Sequence, residues 1–173
     1  MAPAERSVPR LSQSAIWHDT RLNMTTASKT RDLAHRLLAY EAVAGDASEP
    51  AGSATVRVYG KLRQNLCTFV GITGFQLLAI HALAQARTED PGFSEARVTE
   101  DGTLEGLGKI EHQTDFDKGA GGDRAGEAGI ILIARLLGLL HILLGEALTL
   151  SLLRVTWPGA AFGDHNSENG RKA

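Results

Sequence analysis

The run from Gly129 to Gly159, GIILIARLLGLLHILLGEALTLSLLRVTWPG, constrains this chain more than any other segment. A helix of about 20 apolar residues is long enough to cross a bilayer, and this run exceeds that length. It nevertheless carries Arg135, His141 and Glu146, and ionisable groups inside a span are costly and need partners. Three destinations fit: a membrane anchor, the core helix of a soluble bundle, or a helix whose partner is another protein.

Insertion energetics do not choose among them. Twelve Ile and Leu fall within residues 130–148, together worth about 4–7 kcal/mol in favour of insertion. Arg135 near the middle opposes this by up to about 3 kcal/mol, and Glu146 and His141 add to the opposition. Basic residues show no bias between the two flanks, so no orientation follows.

The angular pattern says more. At about 100° per residue, Arg135 and Glu146 fall within roughly 20° of each other. Gly138, Gly145, Thr149 and Thr156 share that sector, with Ile131 and Ile142 as its main exceptions, and nearly everything else is Leu, Ile, Val or Ala. The expectation is one long helix with a wide apolar face and a thin polar stripe. Arg135 and Glu146 lie three turns apart, roughly 16 Å, so each needs a partner other than the other. The stripe of Arg135, Gly138, Gly145, Glu146 and Thr149 is the candidate interaction surface.

The remaining segments favour a core role for this helix. Residues 1 to 27 hold Pro3, Pro9 and few large apolar groups, too little to offset ordering entropy. They are expected to form a disordered tail, with Met24 as an alternative start. From Thr30, Leu33, Leu37, Leu38 and Tyr40–Glu41 mark a helix face, opposite Arg31, Asp32, His35 and Arg36. Gly45 ends it. Ser53 is placed to cap a second helix with Val56, Tyr59, Leu62, Leu66 and Phe69 inward. Gly71 and Gly74 interrupt, and Thr73 is placed to cap a third helix with Phe75, Leu78, Ala82 and Ala86 inward. Asp90-Pro91-Gly92 stops that helix. Asp101-Gly102, between Val98 and Leu104, is a strong hairpin signal, and a two-stranded hairpin must lean on something larger. Residues 108–127 are glycine-rich and polar, which predicts a flexible linker. Trp157-Pro158-Gly159 ends the last helix, and a second disordered tail is expected from 160 to 173. The fold class is therefore mostly α, a small bundle of about four helices with one hairpin near 97–106, spanning residues 28–159. These shorter amphipathic helices need a common apolar partner, and the long helix is the one available.

Composition narrows the function classes. Only 5% of residues are aromatic against 43% hydrophobic, so Leu, Ile, Val and Ala must build the core. With 18 basic and 20 acidic residues the net charge is −2, which argues against a dedicated nucleic-acid binder. Cys67 is the single cysteine. It permits no intramolecular disulfide and no cysteine zinc site, and its apolar neighbours suggest an inert thiol. The first residues lack the apolar core of a secretory signal.

LAHRLLAYE, GFQLLAIHALAQA, VTEDGTLEGL and GEALTLSLLRVTWP resemble segments of a group of bacterial proteins to which no activity is assigned. The resemblance covers about residues 28–159. It implies a bacterial, intracellular helical protein and supplies no catalytic residue.

Catalytic or metal chemistry finds no constellation. None of His18, His35, His81, His112, His141 and His165 has metalloprotease spacing. His141 and Glu146, five apart, point about 140° apart on an unbroken helix. Glu111 to Asp117 (EHQTDFD) is acidic but lacks the order of an EF-hand. GKLRQN, KGAGGDR and VGITG match no phosphate-binding fingerprint. Arg57, Lys61 and Arg63 read as a solvated basic face. No cofactor and no metal are expected. The sequence points to a cytoplasmic interaction or regulatory module, with an unknown protein partner or self-association. The alternative is a single-span membrane protein anchored by residues 129–155.

Overall fold

The computed structural model describes the backbone of residues 13–45, 51–107, 121–160 and 162, and side chains within these from Thr26, Ala54 and Gly126 onward. Among the described residues the chain is mostly helical, with four helices and one two-stranded antiparallel hairpin. They are α1 (Gln13–Ala44), α2 (Ala51–Glu89), α3 (Gly121–Leu144) and α4 (Glu146–Thr156). A 3-10 turn, Pro91–Glu95, leads into strands β1 (Arg97–Val98) and β2 (Leu104–Glu105).

Three boundaries differ from those the periodicity predicts, each for a local reason. α1 begins at Gln13, inside the expected tail, because no Pro or Gly interrupts the chain between Pro9 and Gly45. α3 begins at Gly121, so the expected linker loses its last seven residues to helix, while 108–120 lie outside the described residues. Phe162 is buried against the main core, so the packed domain runs past 159.

Two glycines break helices in the same way. Gly71 interrupts α2 at φ 73, ψ 170, and Gly145 separates α3 from α4 at φ 83, ψ 167. That region is open almost only to glycine. The expected single helix over 129–156 is therefore two helices. Gly74 is helical, so Gly71 alone divides α2.

One side of α3 is covered by the other helices. Ile133, Leu136, Leu137 and Leu140 are fully buried, with Leu37 of α1, Leu62 and Leu66 of α2, Phe75 beyond the kink, and Leu153 and Trp157 at the end of α4. A second cluster joins Leu83, Phe93, Leu107, Ile131 and Leu132 under the hairpin. The inward face of α2 is shifted slightly from expectation. Val58 is buried, whereas Val56 and Phe69 are 51% and 74% exposed.

The hairpin leans on α2 as a two-stranded ribbon must. Arg97 pairs with Glu105 and Val98 with Leu104. Tyr59 Oη donates to Gly102 O at 2.8 Å, and Arg63 donates to Asp101 O through Nε at 2.9 Å and Nη2 at 2.7 Å. Hydroxyls of Thr103 and Thr99 donate to the Asp101 carboxylate and hold it well below the ordinary carboxylate range.

Gly60 and Gly71 make a matched test, since a Cβ at either meets no atom within 4 Å. Only the backbone differs. Gly71→Ala is expected to destabilise by about 1–3 kcal/mol. Gly60→Ala, in regular exposed helix, is expected to stabilise by about 0.5–1 kcal/mol. Urea unfolding of the two variants measures both signs.

Candidate functional site

The break at Gly145 dissolves the stripe as a single surface. Arg135 and Gly138 lie on α3 and line a groove. Glu146 opens α4 and is exposed, as is Gly145. Thr149 is 1% exposed, its Oγ1 donating to Gly145 O at 2.8 Å, so it serves the helix corner and no outer face. The expectation that Arg135 and Glu146 need separate partners holds. Arg135 pairs with Glu89 at the end of α2, and Glu146 accepts from Lys29 Nζ on α1 at 3.1 Å.

The same break reverses one expectation. His141 and Glu146 point apart on a continuous helix, yet here His141 Nε2 lies 3.8 Å from Glu146 Oε2. The reorientation of the chain at Gly145 closes that gap. His141 Nδ1 is buried with no hydrogen-bond partner.

The groove has a volume of about 540 Å³ and runs between α1 near Thr26–Arg31, the end of α2, and α3. On α3 it is lined by the apolar Ile131, Ala134, Gly138, Leu139 and Ile142 together with Arg135 and His141. Three charged residues line it, with Arg135 paired to Glu89 and Arg31 to Glu127. Leu139 also belongs to a second, shallower depression of about 270 Å³, lined by Val70, Gly74, Leu77, Leu78, His81 and Leu143. Large apolar side chains stand in water here: Ile142 is 81% exposed, Leu77 64% and Leu143 56%. From Gln64 to Ala86, and from Leu136 to Gly145, the chain has no Asp, Glu, Lys or Arg. The shallower depression accordingly has no Asp, Glu, Lys or Arg in its lining, whereas Arg31, Glu89 and Arg135 line the larger groove.

A second cluster escaped the periodicity. Glu41 is 1% exposed and meets three donors. Trp157 Nε1 donates to its Oε1 at 2.6 Å, Lys61 pairs with the same oxygen, and Arg57 Nε lies 3.5 Å from Oε2. Arg57 Nη2 also donates to Glu41 O at 2.7 Å, and Lys61 Nζ sits 5.9 Å from the centre of the Trp157 ring. Arg57 and Lys61 are thus not a free solvated face, and Arg63 is bound to Asp101. The signal was present in the spacing: Glu41 follows Leu37 by four and Leu38 by three, which places it on the buried side of α1.

Burial pushes the Glu41 carboxyl up, but hydrogen bonds from Lys61 and Trp157 and the charges of Lys61 and Arg57 outweigh it and hold it below the ordinary value. Glu41 thus gathers Trp157 Nε1 and Lys61 Nζ on Oε1 and faces Arg57 Nε across 3.5 Å at Oε2. Among the described residues no group of three or more His, Cys, Asp or Glu is placed to hold a metal. The acidic segment Glu111–Asp117 lies outside them. Cys67 is half-buried at the edge of the main core and His81 is exposed.

Removing Glu41 leaves two cations and an indole N–H facing an apolar core. Glu41→Ala is expected to destabilise by about 3 kcal/mol, the low end for a broken buried pair because Lys61 still reaches water. The pH dependence follows from the lowered carboxyl. The stabilisation is complete above the unfolded value near 4.5 and is lost as pH falls through the lower folded value. Urea midpoints measured from neutral to acid pH should therefore fall on the acid side in the wild type, with a shallower decline in Glu41→Gln.

No family model, no curated protein and no solved structure matches this chain.

Proposed function

We propose that this chain is a cytoplasmic helical interaction module whose contact surface is the outer face of α3 with the flanking parts of α1 and α2. The observation that carries the reading is the exposure of Ile142, Leu77 and Leu143 beside two adjoining grooves. Covering these three side chains is worth roughly 3–6 kcal/mol, and a soluble monomer seldom leaves such a patch without a use. The layout supports a protein partner. Exposed apolar side chains beside charged groups of both signs are compatible with a protein interface, and the two grooves adjoin at Leu139. Arg135 and Gly138 both line the larger groove, so two of the five stripe residues belong to this surface.

A second reading has a specific observation behind it. Gly126–Leu144 and Ala54–Glu89 are each long and apolar enough to cross a membrane, by length and composition. A protein anchored by residues 129–155 remains the alternative. Against it stand the burial of Ile133, Leu136, Leu137 and Leu140 inside the bundle and the helix break at Gly145.

Lysis without detergent followed by high-speed centrifugation separates the two. The expected result is recovery of the full chain in the supernatant. Recovery only in carbonate-washed membranes would overturn the module reading and favour the anchor.

A further inference from the structure

We infer that Asp101 is a latent modification site, closed while the hairpin lies docked on α2 and converted to isoaspartate when the hairpin lifts away. The chemistry belongs to the Asp-Gly pair. The Gly102 amide nitrogen attacks Asp101 Cγ, the carboxyl hydroxyl leaves as water with the amide proton, and a five-membered succinimide remains. Water then opens the ring. Attack at Cγ restores aspartate, and attack at the main-chain carbonyl carbon leaves the chain running through the side chain. No atom is gained or lost overall, and water is the only co-reactant. Glycine hinders the attacking nitrogen least, and the fold demands it here. Gly102 has a φ of 79, and a Cβ on it would lie 3.0 Å from Phe75 Cδ1.

The docked hairpin opposes ring closure at each atom involved. Gly102 N donates to Thr99 O at 2.9 Å, a bond that must break because the succinimide nitrogen carries no hydrogen. Both carboxylate oxygens are engaged. Oδ2 accepts from Thr103 Oγ1 at 2.6 Å and from Arg63 Nη2 at 3.1 Å, and Oδ1 accepts from Thr103 N at 3.2 Å and from Thr99 Oγ1. These donors favour the ionised carboxylate, whereas the departing hydroxyl requires the neutral acid. The peptide group itself is held at both ends, Arg63 on Asp101 O and Tyr59 on Gly102 O. Arg63 and Tyr59 both belong to α2, so undocking removes their contacts together. Water already reaches the carboxyl, whose side chain is 59% exposed. A two-stranded ribbon holds itself weakly, and such elements open locally well below the cost of global unfolding. Isoaspartate adds one carbon to the backbone of the turn, which unseats Gly102 from Phe75 and leaves the hairpin undocked.

Peptide mapping of the full chain tests this. The chain is incubated at neutral pH, and the tryptic peptide Val98–Lys109 is examined for an isomer of unchanged mass and altered retention. The folded wild type is expected to convert at least about tenfold more slowly than the same chain held unfolded in urea. Arg63→Ala and Thr103→Val, both retaining the wild-type circular dichroism, should convert several-fold faster than wild type. Glu41→Ala, whose lost partners Lys61, Arg57 and Trp157 lie outside the hairpin, should stay close to the wild-type rate. An unfolded chain that accumulates no isoaspartate overturns the site itself. A folded wild type as fast as the unfolded chain, or hairpin variants as slow as wild type, overturns the protection by docking. Equal acceleration in Glu41→Ala and Arg63→Ala makes global unfolding the gate and overturns the local one.

Discussion

The buried carboxylate of Glu41 fixes how the helices meet. An ionised group at 1% exposure is tolerable only when its charge and lone pairs are met. Its partners come from two other places in the chain: Lys61 and Arg57 on α2, and the Trp157 indole immediately after α4. Each partner must therefore arrive at one point, Trp157 and Lys61 within hydrogen-bond distance and Arg57 Nε at 3.5 Å. That requirement sets the rotation of α1 and α2 about their own axes and draws the end of α4 back onto them. Apolar packing alone would tolerate a shifted register at modest cost, whereas an unmatched carboxylate would not. The large buried side chains around it, Leu37, Leu62 and Trp157 among them, then occupy positions the ionic contact has already set.

The return of Trp157 depends in turn on Gly145. The 28 residues from Gly129 to Thr156 as one straight helix would reach about 42 Å, and their far end would leave the bundle. The φ of +83 at Gly145 turns the chain, so that Leu153 and Trp157 are buried beside Leu136 and Leu140. Thr149 secures the corner by donating its hydroxyl to the Gly145 carbonyl. The apolar run is thus divided between two helices, of which α3 alone keeps the length of a membrane span. Gly71 does the same to α2 with nearly the same backbone angles.

This explains which features the sequence disclosed. Helix content, the hairpin at Asp101-Gly102, and the stop at Asp90-Pro91-Gly92 depend on local chemistry, and all stand in the fold. Leu37, Tyr59, Leu62, Leu66 and Phe75 fell on the correct faces because burial follows the helical period. The stripe is divided at Gly145 for a reason periodicity cannot express. Counting 100° per residue assumes an unbroken helix, and a mid-run glycine is equally compatible with a helical interior and with a break. Gly74 and Gly138 are helical, while Gly71 and Gly145 are not. Glu41 was hidden for the opposite reason. Its position on the apolar side of α1 was readable, but its partners lie 16 to 116 residues away, a distance that no local window spans.

The exposed face follows from the same constraints. A helix in a bundle is buried only where another helix lies against it. α1, α2 and the returning α4 cover the side of α3 that bears Ile133, Leu136, Leu137 and Leu140. They leave uncovered the sector of Arg135, Gly138 and Ile142. In a protein that works alone, solvent selects polar groups on such a sector, as Arg31, Asp32, His35 and Arg36 are exposed on α1. On α3 the uncovered sector beyond Arg135 stays apolar through Gly138, Ile142 and Leu143, and Leu77 continues it across α2. Folding the single chain does not require these residues to be apolar, since they are already in water. Under the proposed reading, their chemistry is accounted for when a partner covers them.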